Sequence, residues 1–255
     1  MLILLSPAKS LDFSDPQPAA PRTPARLRAD LAELAAVTRG LSRADLRGLM
    51  DISEALAELN HARFQTFDPG HGAAGKQAIL AFNGDVYQGL DAGSLSLDDL
   101  AFAQDRLRIL SGLYGLLRPL DAIQPYRLEM GTRLATPRGR TLYEFWGARI
   151  AEALNSDLGG RDGVVINLAS QEYFGAVETA ALRARVVTPV FREERDGQAR
   201  TLSFHAKRAR GMMARYAITQ RLTQADALKG FTAGGYRYSD AASSADVWVF
   251  SRPQP

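Results

Sequence analysis

Gly163-Val-Val-Ile-Asn-Leu-Ala-Ser170 is rich in β-branched residues and is bounded by a glycine on one side and by polar residues on the other. This pattern predicts a buried strand. The apolar stretch Met1-Leu-Ile-Leu-Leu5 predicts a second strand, and a loop that contains Ser6, Lys9 and Ser10 follows it, as residues 170–173 follow the first. Because loops at the carboxyl ends of parallel strands meet at one edge of a sheet, we expect a common cleft there. Lys9 is a candidate anion contact in this cleft, or alternatively a solvated loop lysine.

The rest of the chain predicts a fold in which strands alternate with helices. An antiparallel hairpin is expected from residues 186–191 and 200–204, with Asp196-Gly197 as its turn, and residues 246–251 are expected to close the sheet. The predicted helices have as their N-cap residues Ser42, Ser53, Ser96 and Thr141. The predicted class is therefore α/β (mixed α+β), a single domain over residues 1–255 with a central mixed sheet flanked by helices.

The composition excludes several classes of protein. The 255 residues are 46% hydrophobic and 23% charged, which is typical of a folded globular chain. The absence of cysteine excludes disulfides, zinc ribbons, thiolate-bound iron–sulfur clusters and cysteine nucleophiles. His61, His71 and His205 lack metal-ligand spacing, so we expect no metal site and no cofactor. No apolar run approaches the length of a membrane span, and the N-terminal apolar stretch is too short for a signal peptide. We therefore expect a soluble, cytoplasmic protein without a membrane contact.

The segment that runs from Arg108 to Arg133 has an irregular pattern that is typical of a site. A helix is predicted over residues 96–110, and Gly112 and Gly115 then allow a tight turn before a second short helix that leads to Pro119. Such a helix-hairpin-helix can hold a nucleic-acid phosphate on free backbone amides. Paired glycines between helices also occur as a simple compact turn, and that alternative stays open.

A second informative segment is predicted as a helix over residues 205–222. Alanine and methionine fall on one side of it, and the other side carries Lys207, Arg208, Arg210, Arg215 and Arg221. No acidic residue occurs between Phe204 and Ala225, so salt bridges within this helix cannot neutralise the basic side. The pattern indicates either a solvated face or an anion-binding surface, and the net charge of +3 is compatible with both.

The predicted cleft can also be interpreted as an active site. Convergent acidic, basic and amide groups there would suit a phosphorylated or nucleotide-like ligand, although no nucleophile–base pair, phosphate-binding loop or dinucleotide fingerprint is recognisable. Hard oxygen ligands would favour magnesium, manganese or iron over zinc. The cleft candidates are Lys9, Asp85, Arg127, Glu129, Asn167, Ser170 and Glu172. Four of them have a structural alternative: Asp85 as a helix N-cap, Arg127 with Glu129 as a simple ion pair, and Asn167 as a link between neighbouring backbones.

Seven short strings occur in order along the chain: Leu5-Ser-Pro-Ala-Lys9, Gly84-Asp-Val-Tyr87, Leu110-Ser-Gly-Leu-Tyr-Gly-Leu-Leu-Arg-Pro-Leu-Asp121, Pro125-Tyr-Arg-Leu-Glu-Met-Gly131, Asn167-Leu-Ala-Ser170 with Glu172-Tyr-Phe174, and Ala206-Lys-Arg-Ala-Arg-Gly211. Together they resemble the YaaA family of bacterial peroxide-stress proteins over essentially the whole chain. The resemblance implies a cytoplasmic protein of the hydrogen-peroxide response that lowers unincorporated iron. It also implies a one-domain mixed α/β fold with a basic cleft and a helix-hairpin-helix element that binds duplex and branched DNA.

Two hypotheses of different class follow. In the first, the protein binds DNA without base specificity. Gly112 and Gly115 present their amides to the DNA backbone, and its phosphates are contacted by Lys9, Arg118, Arg127, Lys207, Arg208 and Arg210. In the second, the protein is an enzyme that acts on a small molecule in the cleft. We expect the binding protein rather than the enzyme, with DNA as partner and a small-molecule ligand in the cleft as a further possibility.

Overall fold

A computed structural model describes residues 1–14, 21–70, 74–159, 163–195 and 198–254. The strands are β1 (Leu2–Leu5), β2 (Ser10–Leu11), β3 (Lys76–Gln77), β4 (Phe82–Asn83), β5 (Leu107–Ser111), β6 (Gly115–Leu117), β7 (Ala122–Ile123), β8 (Val164–Asn167), β9 (Arg185–Arg195), β10 (Gln198–Arg200), β11 (Arg237–Ser239) and β12 (Val247–Pro253). The α-helices are α1 (Arg28–Arg39), α2 (Arg43–Met50), α3 (Glu54–Thr66), α4 (Ala78–Ala81), α5 (Asp85–Leu90), α6 (Leu97–Arg106), α7 (Leu142–Trp146), α8 (Arg149–Asp157), α9 (Gln171–Phe174) and α10 (Ser203–Thr219).

A mostly parallel sheet organises the fold. Its strand order is β11-β12-β9-β8-β1-β5-β6, and β10 pairs with β9 beside this path. β1 lies between β8 and β5 and is parallel to both, with Leu4 opposite Asn167 and Leu5 opposite Ile109. All four residues of β1 are buried, as expected of a strand that is covered on both faces. The predicted α/β class, with a central mixed sheet flanked by helices, is confirmed.

The predicted helix-hairpin-helix is wrong. The helix that Ser96 caps ends at Arg106, and the chain continues as β5, which pairs in parallel with β1 and antiparallel with β6. Leu107 and Leu110 are buried in the sheet, because pairing with β1 overrides the local helical periodicity. Arg108 in this strand is buried and is bonded by Asp157 of α8. The segment is a helix followed by a β-hairpin.

The two glycines of this hairpin are buried rather than presented to solvent. Gly115 has φ +69°, and a Cβ on it would lie 2.6 Å from the Trp146 ring. A Cβ on Gly112 would lie 2.3 Å from the Leu128 carbonyl oxygen, and the Gly112 carbonyl accepts a hydrogen bond from the Trp146 indole at 3.1 Å. These glycines therefore permit close packing of the core, and the expectation that they expose free amides is not met.

The second predicted hairpin is confirmed in part. β9 and β10 are antiparallel, whereas the predicted turn Asp196-Gly197 lies outside the described residues. β9 is longer than expected because it also pairs in parallel with β8 and with β12. Ser203 and Phe204, which the sequence pattern places in the second strand, form the first turn of α10 instead.

Helix α10 is held against α5 by two glycines. A Cβ on Gly211 would lie 1.8 Å from the Val86 carbonyl oxygen, and one on Gly89 would lie 2.1 Å from the Arg208 carbonyl oxygen. The two backbones are therefore in direct contact, which only glycine permits at both positions. This contact fixes α10 relative to the sheet edge where β1 ends, because α5 bonds to the loop after β1 through Tyr87, whose hydroxyl donates to the Ser6 carbonyl at 2.9 Å.

Candidate functional site

A cleft of about 400 Å³ lies at the carboxyl ends of β1 and β8, where the sequence predicts it. Residues 6–10 after β1 and Ser170 after β8 form its floor, α5 and α9 contribute to its walls, and α10 completes it. Six charged residues line the cleft: Lys9, Asp85, Glu129, Glu172, Lys207 and Arg210. The topology explains the position, since neighbouring parallel strands deliver their following loops to the same edge.

The two floor loops are bonded to each other. The Ser170 amide donates to the Ser6 hydroxyl oxygen at 2.8 Å, and the Leu168 amide donates to the Leu4 carbonyl at 3.0 Å. Ser170 is also the N-cap of α9, since its hydroxyl oxygen accepts from the Tyr173 amide at 3.4 Å. Ser170 is thus occupied with structural bonds on both sides, and its hydroxyl is fixed at the cleft floor.

One lip of the cleft is a chain of ion pairs. Glu129 binds the Lys9 ammonium at 2.7 Å through one oxygen and the Arg127 guanidinium at 3.0 Å through the other. The Lys9 side chain is 66% exposed and can leave this pair at small cost, whereas Arg127 is mostly buried behind it. Glu129 therefore meets both interpretations, because it pairs with Arg127 and also lines the cleft, whereas Arg127 is in the ion pair but is not a lining residue of the cleft.

The basic wall comes from α10. Lys207 and Arg210 both line the cleft, and neither has a carboxylate within ion-pair distance among the residues that the structure describes. Arg210 is half-buried, and desolvation lowers its pKa below the usual value for an arginine. A half-buried cation without a counter-charge is electrostatically unfavourable, so an anion in the cleft would stabilise it.

Asp85 takes the cleft-facing position rather than the capping one. Gly84 occupies the N-cap position of α5 and has no side chain that could cap the helix, and Asp85 is the first residue of the helix. The prediction that Asp85 caps this helix is therefore wrong. Glu172, on α9, accepts a hydrogen bond from the Gly131 amide at 3.0 Å through one carboxylate oxygen.

Asn167 does not line the cleft. It is buried at the end of β8, where its carbonyl oxygen accepts from the Ala169 amide at 3.0 Å and its amide donates to the Thr188 hydroxyl at 3.5 Å. Its observed role is therefore structural, as a link from its own loop to the Thr188 side chain on β9, and the predicted link between neighbouring backbones is not what the two bonds make.

The remaining predicted contacts lie away from the cleft. Arg118 is bound by the fully buried Asp121 and donates to the Pro24 carbonyl. Arg208 is exposed on a different side of α10, in a separate groove beside Gly89. The predicted basic face is thus divided, and DNA contact by any of these residues stays a prediction.

Two other arginines of that face are neutralised from outside α10. Arg215 pairs with Asp91 at 3.6 Å and Arg221 pairs with Asp99 at 2.9 Å. The absence of acidic residues within the helix therefore does not leave these two arginines unpaired. Lys207, Arg208 and Arg210 are the basic residues of α10 to which the described structure gives no carboxylate.

Sequence reasoning missed two tyrosines in the cleft. Tyr87 and Tyr173 line it, and burial raises the pKa of both phenols well above the usual value. Each lies one or two residues after a cleft carboxylate on a helix, in Asp85-Val-Tyr87 and Glu172-Tyr173. That spacing is the signal by which they could have been found.

The carboxylates of the cleft do not converge on one point. In the described part of the chain, no group of three or more His, Asp or Glu side chains is arranged to hold a metal ion, and Asp85, Glu129 and Glu172 do not form one. Within the same residues, no helix combines the length and apolar character required to cross a membrane.

The structure is that of an α/β protein with a charged cleft at the carboxyl ends of its parallel strands, where proteins of this class bind their ligands. The sequence profile described as peroxide stress protein YaaA matches residues 1–242. The chain belongs to this family. Its relatives include UPF0246 proteins of Caulobacter vibrioides, 58% identical with 100% of both chains covered, and of Phenylobacterium zucineum, 57% identical with 100% of this chain and 96% of the relative covered. A UPF0246 protein of Burkholderia thailandensis is 53% identical, with 99% of this chain and 98% of the relative covered.

Proposed function

We propose that this protein protects the cytoplasm against hydrogen peroxide by lowering unincorporated iron, and that it binds duplex and branched DNA through its basic groups. Membership of a peroxide-stress family supports the first part. The DNA-binding part rests on one observation, which is the set of three cations on α10 that have no carboxylate partner in the described structure.

These cations suit a phosphate backbone. Lys207, Arg208 and Arg210 lie within four residues of one helix, and Lys207 and Arg208 are exposed. Phosphate contacts of this kind give affinity without base specificity and release counterions, so binding falls with salt. The buried hairpin of residues 111–117 has no part in this proposal.

A salt series with purified protein tests DNA binding. We expect Lys207→Ala/Arg210→Ala to weaken binding to duplex and four-way-junction DNA and to reduce the slope of log affinity against log salt by about 2, one for each lost phosphate contact. The matched control is Arg43→Ala/Arg47→Ala, which removes the same charge from exposed positions of α2 outside the cleft. Equal slopes for the two double variants would remove the DNA proposal.

Iron control is tested in cells. A strain without the gene should accumulate more chelatable iron under peroxide than its parent, measured by electron paramagnetic resonance, and the wild-type gene should reverse this. If chelatable iron is the same in all three strains, the iron proposal fails whatever the DNA result.

A further inference from the structure

The geometry points to a second ligand for the same cleft: a nucleoside monophosphate, with its phosphate held by Arg210 and Lys207 and its sugar hydroxyls held by Asp85. This inference does not depend on DNA binding, because it concerns a small molecule enclosed by the cleft rather than a strand lying across α10.

The size and position of the cleft fit a small molecule. A volume of about 400 Å³ falls in the range of ligand pockets, roughly 300–1,000 Å³. Its floor is made by loops after the parallel strands β1 and β8, which is where open α/β sheets bind their ligands. The bonds between Ser6 and Ser170 fix this floor, so the site is formed before a ligand arrives.

The basic wall selects a phosphate. Arg210 and Lys207 are one helical turn apart and supply two positive charges with no carboxylate partner in the described residues, which matches a phosphate dianion. Lys9 adds no net charge, because Glu129, which also lines the cleft, compensates it. A cation that is paired with a protein carboxylate does not require a bound anion. Lys207 and Arg210 have no such partner in the described residues, so a bound anion would stabilise both.

The acidic wall selects hydrogen-bond donors on the rest of the ligand. Asp85 lines the cleft and has no ion pair or side-chain hydrogen bond within the part of the chain that is described. A carboxylate in this position repels a second phosphate and accepts from hydroxyl groups. A ligand that carries hydroxyl donors as well as a phosphate would bind Asp85, whereas a simple inorganic anion would leave it unused.

Apolar surface completes the site. Pro7, Val86, Tyr87 and Tyr173 line the cleft between its charged groups. Aromatic and aliphatic surface beside a few fixed polar groups is typical of sites that bind a flat ring. A base would use this surface, whereas a sugar phosphate would leave it exposed to water.

Isothermal titration calorimetry without DNA tests the inference, with AMP, GMP, CMP, UMP, ribose 5-phosphate and inorganic phosphate as probes. We expect at least one nucleoside monophosphate to bind with one-to-one stoichiometry and at least tenfold more tightly than ribose 5-phosphate. Arg210→Gln and Asp85→Asn should each weaken it at least tenfold. Arg208→Gln is the matched control, because it removes the same charge two residues away and outside the cleft.

The variants must be separated from loss of folding. Thermal unfolding of each protein identifies any that is misfolded, and Arg210→Lys, which keeps the charge but not the planar guanidinium, should bind more tightly than Arg210→Gln. The inference is overturned if no nucleoside monophosphate binds, if ribose 5-phosphate or phosphate binds equally well, or if Arg210→Gln behaves as Arg208→Gln does. Nucleotide binding in a protein that fails to bind DNA would support the inference and remove only the DNA proposal.

Discussion

Replacing Gly211 with alanine should push α10 away from α5 and destabilise the protein. The new Cβ would lie 1.8 Å from the Val86 carbonyl oxygen and 2.7 Å from the Leu90 amide nitrogen. The backbones must separate by roughly 1.6 Å, the difference between 1.8 Å and the 3.4 Å of ordinary contact. Overpacking of this kind costs about 1–3 kcal/mol or more, and the better helix propensity of alanine offsets about 1 kcal/mol. Because both contacts are with backbone, we expect a net loss of about 2 kcal/mol.

Gly48→Ala is the matched control for this change. Gly48 is an exposed residue of α2, and a Cβ on it would meet no atom within 4 Å, so alanine there should stabilise the protein by about 0.5–1 kcal/mol. Urea unfolding followed by circular dichroism measures both effects. The reasoning is refuted if Gly211→Ala unfolds at the wild-type midpoint or at a higher one, since the close contact of α5 with α10 would then be absent in solution.

Asp157→Asn should cost about 3 kcal/mol of unfolding free energy, because it leaves the Arg108 guanidinium, only 5% exposed, without a counter-charge. Burial opposes the ionisation of Asp157, but the hydrogen bonds from its arginine partners prevail and lower its pKa. The stability that this ionised form provides is present above about pH 4 and is lost as the pH falls below it. The variant should therefore lose this acid dependence in urea titrations. Ser96→Ala removes the hydroxyl that accepts from the Asp99 amide at 3.1 Å and should cost about 1 kcal/mol by the same titration; an unchanged midpoint would contradict the capping assignment. Burial raises the pKa of Tyr236 to about 12, so stability should fall from about pH 10 to pH 12 as the unfolded phenol ionises first, and Tyr236→Phe should show a smaller fall over that range.

The sequence predicts the strands of the cleft because their signal is local. Leu2–Leu5 and Val164–Asn167 are short apolar runs that end in polar residues, and both strands lie where expected. The helix starts at Ser42 and Ser96 were also predictable, since a capping box involves only four consecutive residues. In each case the residues that determine the structure are neighbours in the chain.

The errors arise where distant residues determine the structure. Leu107–Ser111 continues a helical pattern, and pairing with β1, which is distant in sequence near the N-terminus, makes it a strand. Arg108 is buried by a bond to Asp157, and nothing in its local sequence indicates this. The sequence predicts the basic side of α10 as one surface, but Asp91 and Asp99 neutralise part of it from other elements. Only the contact between α10 and α5 shows which of its cations enter the cleft.

The position of β1 also has a consequence for how the chain folds as it is made. Leu2–Leu5 is synthesised long before its partners, since it pairs with β5 at residues 107–109 and with β8 at residues 165–167. At about 5–20 residues per second, roughly ten to thirty seconds separate the strand from its second partner. During that interval its apolar edge is unpaired and the floor of the cleft does not exist. Pairing across such distances slows folding, so the apolar edge of β1 stays open in the nascent chain for longer than it would in a protein of local contacts.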